Sequence, residues 1–160
     1  ADQDLNSAMQ NSVNWYFQAI DSQLGINRVQ EFLNKIEYGN QTTSSNLDLY
    51  WSDFSLKISP LEQVTLLKKF NTNEFHLNSQ NVFSVKNAIK IASTPNGNFY
   101  GKTGTGRVNG QDINGWFIGY VETSDNSYYF ATNIQSDSNA TGKKAFEITS
   151  DILKKLHIWN

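Results

Sequence analysis

The order of residue patterns along the chain predicts an α+β fold: a helical region, then an antiparallel sheet, then a C-terminal helix packed on that sheet. Three observations carry this. Apolar residues recur at helical spacing through residues 1–95. Beyond the turn cluster Ser93-Thr94-Pro95-Asn96-Gly97-Asn98, runs of aromatic and β-branched residues take over, joined by turn signals. The chain then closes on an amphipathic helical stretch. Helices followed by strands, rather than alternating βα units, argue against a parallel sheet. The chain reads as 1–95 mainly helical and 96–160 as strands with a last helix.

Leu5, Ala8 and Met9 mark the face of a first helix. Trp15, Phe17, Ile20 and Leu24 mark a second, after a break near Ser12. Val29, Phe32, Leu33 and Ile36 follow the i, i+3, i+4, i+7 rule, and that helix stops before the glycine of Tyr38-Gly39-Asn40. Residues 40–59 read as irregular. Ser59-Pro60-Leu61-Glu62 is a helix start, with a capping serine, a proline at the first position and a glutamate completing a capping box. Leu61, Val64, Leu66 and Leu67 give that helix its apolar face. Val82, Val85, Ile89 and Ala92 predict a further helix that ends before Pro95. Phe99 to Thr105 can form a strand, and Gly106 to Gly115 reads as a polar connection. Trp116 to Val121 and Tyr128 to Ile134, joined by Ser124-Asp125-Asn126-Ser127, read as a β-hairpin. Ala145, Ile148, Ile152 and Leu156 line the last helix.

A chain of 160 residues suits one domain with a real core. A net charge of −2 gives no broad field for nucleic acid or anionic membrane, so the tryptophans and tyrosines read as packing groups. Without cysteine there are no disulfides, thiol chemistry or cysteine-ligated zinc. The two histidines, His76 and His157, lie far apart, whereas zinc needs about three or four converging ligands. No metal is expected. No apolar run approaches the roughly 20 residues that span a bilayer. The start at Ala1-Asp2-Gln3-Asp4 lacks an initiator methionine and a signal peptide, which suggests a processed or excised piece.

The stretch Tyr100 to Gly106, Y-G-K-T-G-T-G, is the chemical focus. Gly97, Gly101, Lys102 and Thr103 give G-x-x-x-G-K-T, one residue short of a P-loop, whose length cannot vary because its N–H groups must wrap a phosphate. On a strand, Lys102 and Gly104 point one way, Thr103 and Thr105 the other. A cation, a hydroxyl and bare backbone at Gly104 suit a carboxylate-bearing substrate. A solvated lysine on a glycine-rich edge strand is the plainer alternative.

Lys-Thr-Gly is one of three signatures of serine enzymes that react with penicillins, with Ser-x-x-Lys and Ser-Asp-Asn or a variant. Ser124-Asp125-Asn126 follows Lys-Thr-Gly, in the wrong order, and turn chemistry accounts for it. Ser12-Val13-Asn14 precedes it, at a helix break, and is taken as the middle motif. Ser-x-x-Lys occurs nowhere in the chain. With A-M-Q-N-S-V-N-W-Y-F (8–17), Y-G-N (38–40), Y-W-x-x-x-S-L-K-I-S (50–59) and N-G-W-F-I-G-Y (114–120), the sequence resembles class D β-lactamases. More closely still, it resembles the extracellular penicillin-sensor domain of receptors that induce β-lactamase in Gram-positive bacteria. The similarity covers essentially the whole chain and matches the C-terminal two-thirds of such a domain.

That resemblance implies a serine β-lactamase/penicillin-binding-protein-like fold, here incomplete. It implies that Ser12 presents its hydroxyl to the lactam nitrogen and helps pass it a proton; a helix cap is the structural alternative. Lys102 would supply positive potential beside the nucleophile. Thr103, Gly104 and Thr105 would line the drug's strand-side edge and its carboxylate, with the Thr105 amide in the oxyanion hole. Trp51 would stand beside the active-site lysine, which these proteins can carboxylate; core packing is the alternative. No other cofactor is implied. Tyr38-Gly39-Asn40 is read as a structural turn. Class D enzymes often bind the carboxylate with an arginine near the last helix; Lys143 and Lys144 lie there instead and are left unassigned.

The acylated serine and its lysine base belong to Ser-x-x-Lys, so this chain alone should not acylate. Hydrolytic class D enzymes usually carry an apolar residue where this chain has Asn14, sheltering the carboxylated lysine that activates water. Asn14, and Ser52 in place of a bulky apolar residue, favour a sensor over a β-lactamase. A penicillin-binding transpeptidase and a non-catalytic interaction domain are the remaining readings. Expected partners are β-lactams, the missing N-terminal part of the domain, and membrane and cytoplasmic modules of a receptor at the extracellular face of a Gram-positive membrane.

Overall fold

The computed structural model describes residues 2–43, 50–52 and 54–160, so 44–49 and 53 of the stretch expected to be irregular lie outside the described residues. The chain divides into two units: residues up to Glu62 with Lys69–Ile89, and Gln63–Lys68 with Lys90–Asn160.

The first unit holds helices α1 (Leu5–Gln10), α2 (Asn14–Leu24), α3 (Ile26–Lys35), both ends of α4 (Pro60–Asn71), whose middle Gln63–Lys68 belongs to the second unit, and α5 (Ser79–Ala88). Each has a local cause. Asp4 caps α1 in a reciprocal capping box with Ser7. The predicted box at α4 forms: Ser59 N–H donates to Glu62 Oε2 at 2.8 Å, and Glu62 N–H to Ser59 Oγ at 3.3 Å. The Ser59 hydroxyl, donating to Glu62 Oε2 at 2.7 Å, and then the Ser59 N–H hold the Glu62 carboxyl below its usual pKa. Asn78 caps α5 through Gln80 and Asn81. α1 packs on α5, and α2 on α3. Of the expected α3 face, Val29 and Leu33 are buried and gather Tyr50, Tyr38, Trp51 and Leu56 into a small core, while Phe32 is exposed. On α4 the expected face holds at Leu66 and Leu67 but not at Leu61, which is 81% exposed.

The second unit is an antiparallel sheet, β1 (Lys90–Thr94), β2 (Gly97–Val108), β3 (Gln111–Thr123) and β4 (Ser127–Gln135) in that spatial order, with α6 (Gly142–Lys155) packed on it. The helix predicted through Ala92 ends at Ala88, and β1 replaces its last turn. Pairing with β2 (Ser93 opposite Asn98, Thr94 opposite Gly97) overrides the continuing helical spacing. The polar connection expected over 106–115 is strand almost throughout. β2 and β3 run to a two-residue turn at Asn109-Gly110, whose φ values of 49° and 78° fit an Asn-Gly hairpin. The β3–β4 turn lies where predicted and contains Ser124-Asp125-Asn126, closed by Thr123 N–H donating to Asn126 O at 2.8 Å. On α6 the sheet-facing residues are Gly142, Ala145, Thr149 and Leu153, whereas Ile148, Ile152 and Leu156 are exposed. Phe99, Phe117, Val121, Ala145 and Leu153 form the core beneath α6.

Candidate active site

Ser12 lies in the three-residue break between α1 and α2, exposed, with φ +51°. A non-glycine residue in the left-handed region is costly, and such residues cluster at functional sites. Val13, not Ser12, takes the N-cap position of α2, and no side chain caps it. Asn14 opens α2 and is exposed. Ser12 and Asn14 are therefore both displayed at this corner, on either side of the N-cap residue Val13.

Trp51 belongs to the same unit and sits against the Val29–Leu33–Tyr50 core. Its neighbourhood is built by the Tyr38-Gly39-Asn40 turn. Gly39 has φ +49°, and a Cβ there would collide with the Lys57 carbonyl, so only glycine fits. Asn40 then accepts from Lys57 N–H at 2.9 Å and donates to Ser55 O at 2.8 Å. Ser55 Oγ and Leu56 N–H in turn donate to Tyr50 O at 3.0 and 3.1 Å. The turn thus holds the Tyr50-Trp51 corner, a structural role as the sequence suggests. Burial raises the Tyr38 hydroxyl's pKa; burial first, and then Asp21, raise that of Tyr50.

A cavity of about 600 Å³ opens between α2, α3 and this corner, lined by Leu24, Phe32, Leu33, Tyr50, Trp51 and Leu56 among others. The Trp51 indole Nε1 is buried and has no hydrogen-bond partner among the described residues. A buried orphan donor is costly, so an acceptor from outside the described residues would be favourable there.

In the sheet unit, Lys102, Thr103, Gly104 and Thr105 lie consecutively on β2. β1 covers the outer edge of β2 only from Gly97 to Tyr100. From Gly101 to Gly106, β2 pairs with β3 on one side and has no strand on the other among the described residues. That open edge carries the Lys-Thr-Gly-Thr run, with Thr103, Gly104 and Thr105 exposed. It offers backbone groups for a ligand to pair with.

The expected alternation of side chains is realised. Thr103 and Thr105 face the first turn of α6: Gly142 N–H donates to Thr105 Oγ1 at 2.9 Å, and Thr103 Cβ lies close by. Lys102 is half-buried on the other face, its Nζ donating to Thr103 O at 2.9 Å. Burial lowers its pKa. Among the described residues no group of three metal-ligating side chains converges, and no helix is long and apolar enough to cross a membrane.

Sequence reasoning missed three features of the site: the open edge of β2, the tether to α6 and the orphan indole. The first depends on where β1 stops, the second on residues 37 positions apart, and the third on packing.

Residues 1–154 match the penicillin binding protein transpeptidase domain family. The chain is 45% identical to the methicillin resistance mecR1 protein of Staphylococcus aureus (strain Mu50) over 157 residues, which is 98% of this chain and 27% of that protein. Superposed on the C-terminal domain of the Bacillus licheniformis BlaR penicillin-receptor, it gives a TM-score of 0.94 at 47% identity, covering 99% of this chain and 64% of that one. A class D β-lactamase from Bacillus subtilis gives 0.89 at 37% identity, covering 97% and 63%. The chain therefore spans about a quarter of that curated relative and under two-thirds of either solved domain. The helices and the four-stranded antiparallel sheet are those of this fold, and the chain belongs to the penicillin-binding protein transpeptidase domain family.

Proposed function

We propose that this chain is the C-terminal part of an extracellular β-lactam sensor, acylated by penicillins on a serine supplied by the preceding part of the domain. The observation that carries this reading is the open edge of β2 at Lys102–Thr105, with Thr103, Gly104 and Thr105 exposed. Similarity to the BlaR penicillin-receptor domain supports it. The incoming serine Oγ bonds to the lactam carbonyl carbon and the carbon–nitrogen bond breaks. Ser12 relays the serine's proton to the departing nitrogen. Lys102 contributes positive potential, Thr103 and Gly104 seat the drug's edge, and the Thr105 amide receives the oxyanion. Trp51 would donate its orphan N–H to the incoming lysine or its carbamate. When present, that carbamate supplies the base that activates water for deacylation. The acylated state would be reported through membrane and cytoplasmic modules of the receptor.

The closest competing function is a class D β-lactamase, which shares every step up to the acyl-serine. Asn14 favours the sensor: an exposed amide opening α2 competes for the carbamate's hydrogen bonds where an apolar residue would shelter it. Intact-mass spectrometry of the complete domain after brief exposure to benzylpenicillin tests this. An adduct of one drug that persists for hours is expected; a transient adduct with accumulating hydrolysed drug would make the protein a β-lactamase. In the same assay, Asn14→Val is expected to shorten the adduct's lifetime about tenfold by retaining the deacylation base. An unchanged lifetime would remove Asn14 from the explanation.

A further inference from the structure

The first turn of α6 touches the Lys-Thr-Gly strand more closely than core packing requires. A Cβ on Gly142 would lie 2.6 Å from Gly104 O, 3.0 Å from Gly104 N and 2.9 Å from Thr103 Cβ. The Gly142 backbone is not in the left-handed region, so glycine is needed here for space alone. Its N–H is one of the donors that a helix start leaves without an intrahelical partner, and it goes to Thr105 Oγ1 at 2.9 Å. Thr141 caps the same turn by accepting from Lys144 N–H at 3.2 Å, so the turn is itself fixed. Two contacts, one steric and one hydrogen-bonded, thus bracket the Gly104–Thr105 peptide.

We infer that Gly142 and the Thr105 hydroxyl are positioning residues for acyl transfer, holding the Thr105 amide at the height where it meets the developing oxyanion. This rests on the sensor reading, which assigns that amide to the oxyanion hole. An oxyanion donor must lie about 2.7–3.1 Å from the charge that develops, so a small drift of this peptide weakens the transition state more than the bound drug. A hydroxyl that contacted the drug directly would act on affinity instead. The two roles therefore separate kinetically.

The experiment uses the complete domain and benzylpenicillin, with the dissociation constant before acylation and the acylation rate constant measured separately by stopped flow. For Thr105→Val, which keeps the shape and removes the acceptor, the acylation rate constant is expected to fall about tenfold while the dissociation constant stays within about threefold. Thr105→Ser, which restores the hydroxyl, is expected to recover most of that rate. Gly142→Ala should reproduce the Thr105→Val split; if it does not fold, Thr105→Val carries the test alone. A loss confined to the dissociation constant would make Thr105 a drug contact, and unchanged constants would make the tether purely structural; either overturns the proposal. Amide exchange of drug-free protein reads the tether independently: Gly142 N–H should exchange faster in Thr105→Val, and unchanged exchange overturns the tether itself. A wild-type domain that takes up no penicillin, with the faster Gly142 N–H exchange of Thr105→Val intact, would instead sink the sensor reading.

Discussion

Replacing Lys102 with alanine in the complete domain is expected to lower the benzylpenicillin acylation rate about 100- to 1,000-fold, the range for loss of a preorganised electrostatic group. The lysine is half-buried and its ammonium is anchored on Thr103 O, so its charge is fixed in position and incompletely screened. Lys102→Arg keeps the charge but replaces a compact ammonium with a wide fork, and is expected to recover only part of the rate. The pH profile is a second readout. Burial lowers the Lys102 pKa, so its positive charge is present below that lowered value and is lost as pH rises through it. Acylation should therefore decline on the alkaline side earlier than an ordinary lysine would allow, and Lys102→Arg should abolish that limb. Stability runs the opposite way. A lysine whose pKa is depressed on folding destabilises the native state while charged, and this penalty is relieved as pH rises from the lowered value towards the unfolded one. Lys102→Met should therefore be more stable than wild type at neutral pH in denaturant titrations, even though it acylates poorly. Equal acylation by Lys102→Ala and wild type would remove this residue from the mechanism.

Where sequence anticipated structure, the cause was local. Ser59-Pro60-Leu61-Glu62 carries its own hydrogen bonds, and they form as written. The Ser124-Asp125-Asn126 turn is likewise closed locally, by Thr123 N–H on Asn126 O, and the Tyr38-Gly39-Asn40 turn by Gln41 N–H on Tyr38 O. Most of the failures were nonlocal. Ala92 continues a helical spacing, yet its segment becomes β1 because β2 offers a partner strand. Asn109-Gly110 was a readable hairpin signal, hidden by the polar residues around it. Ile148, Ile152 and Leu156 are apolar and helically spaced, but Thr149 is the residue turned to the sheet, its hydroxyl shared with Thr132 and donated to Ala145 O. At the site, residue types and motif order identified Lys102 through Thr105, and alternation on a strand gave their faces. Nothing in the sequence could show that the pairing of β1 with β2 reaches only to Tyr100, leaving their edge open among the described residues, or that Gly142 meets Thr105.

Phe117 is where the fold beneath that edge is most vulnerable. It is 1% exposed and sits opposite Thr103 across the β2–β3 pair. Its ring meets Phe99, Phe130 and Phe146 at centroid separations of 6.0, 5.1 and 5.0 Å, two of them edge-on. It also fills the space above Gly101, where a Cβ would lie 2.6 Å from the ring. Neither glycine nor the surrounding rings can collapse into the hole that alanine would leave, so the lost transfer energy and the cavity add. Phe117→Ala is therefore expected to cost about 3–5 kcal/mol, against a total near 5–15 kcal/mol for a typical domain. For a chain of this size that lowers the melting temperature by roughly 10 °C or more. Phe117→Leu, which retains most of the volume, should lose less than half as much in the same thermal scan. A melting temperature unchanged by Phe117→Ala would mean that the sheet unit is held from elsewhere. A large fall in stability accompanied by slower acylation in the surviving folded fraction would show that this ring also keeps the Lys-Thr-Gly strand in register over α6.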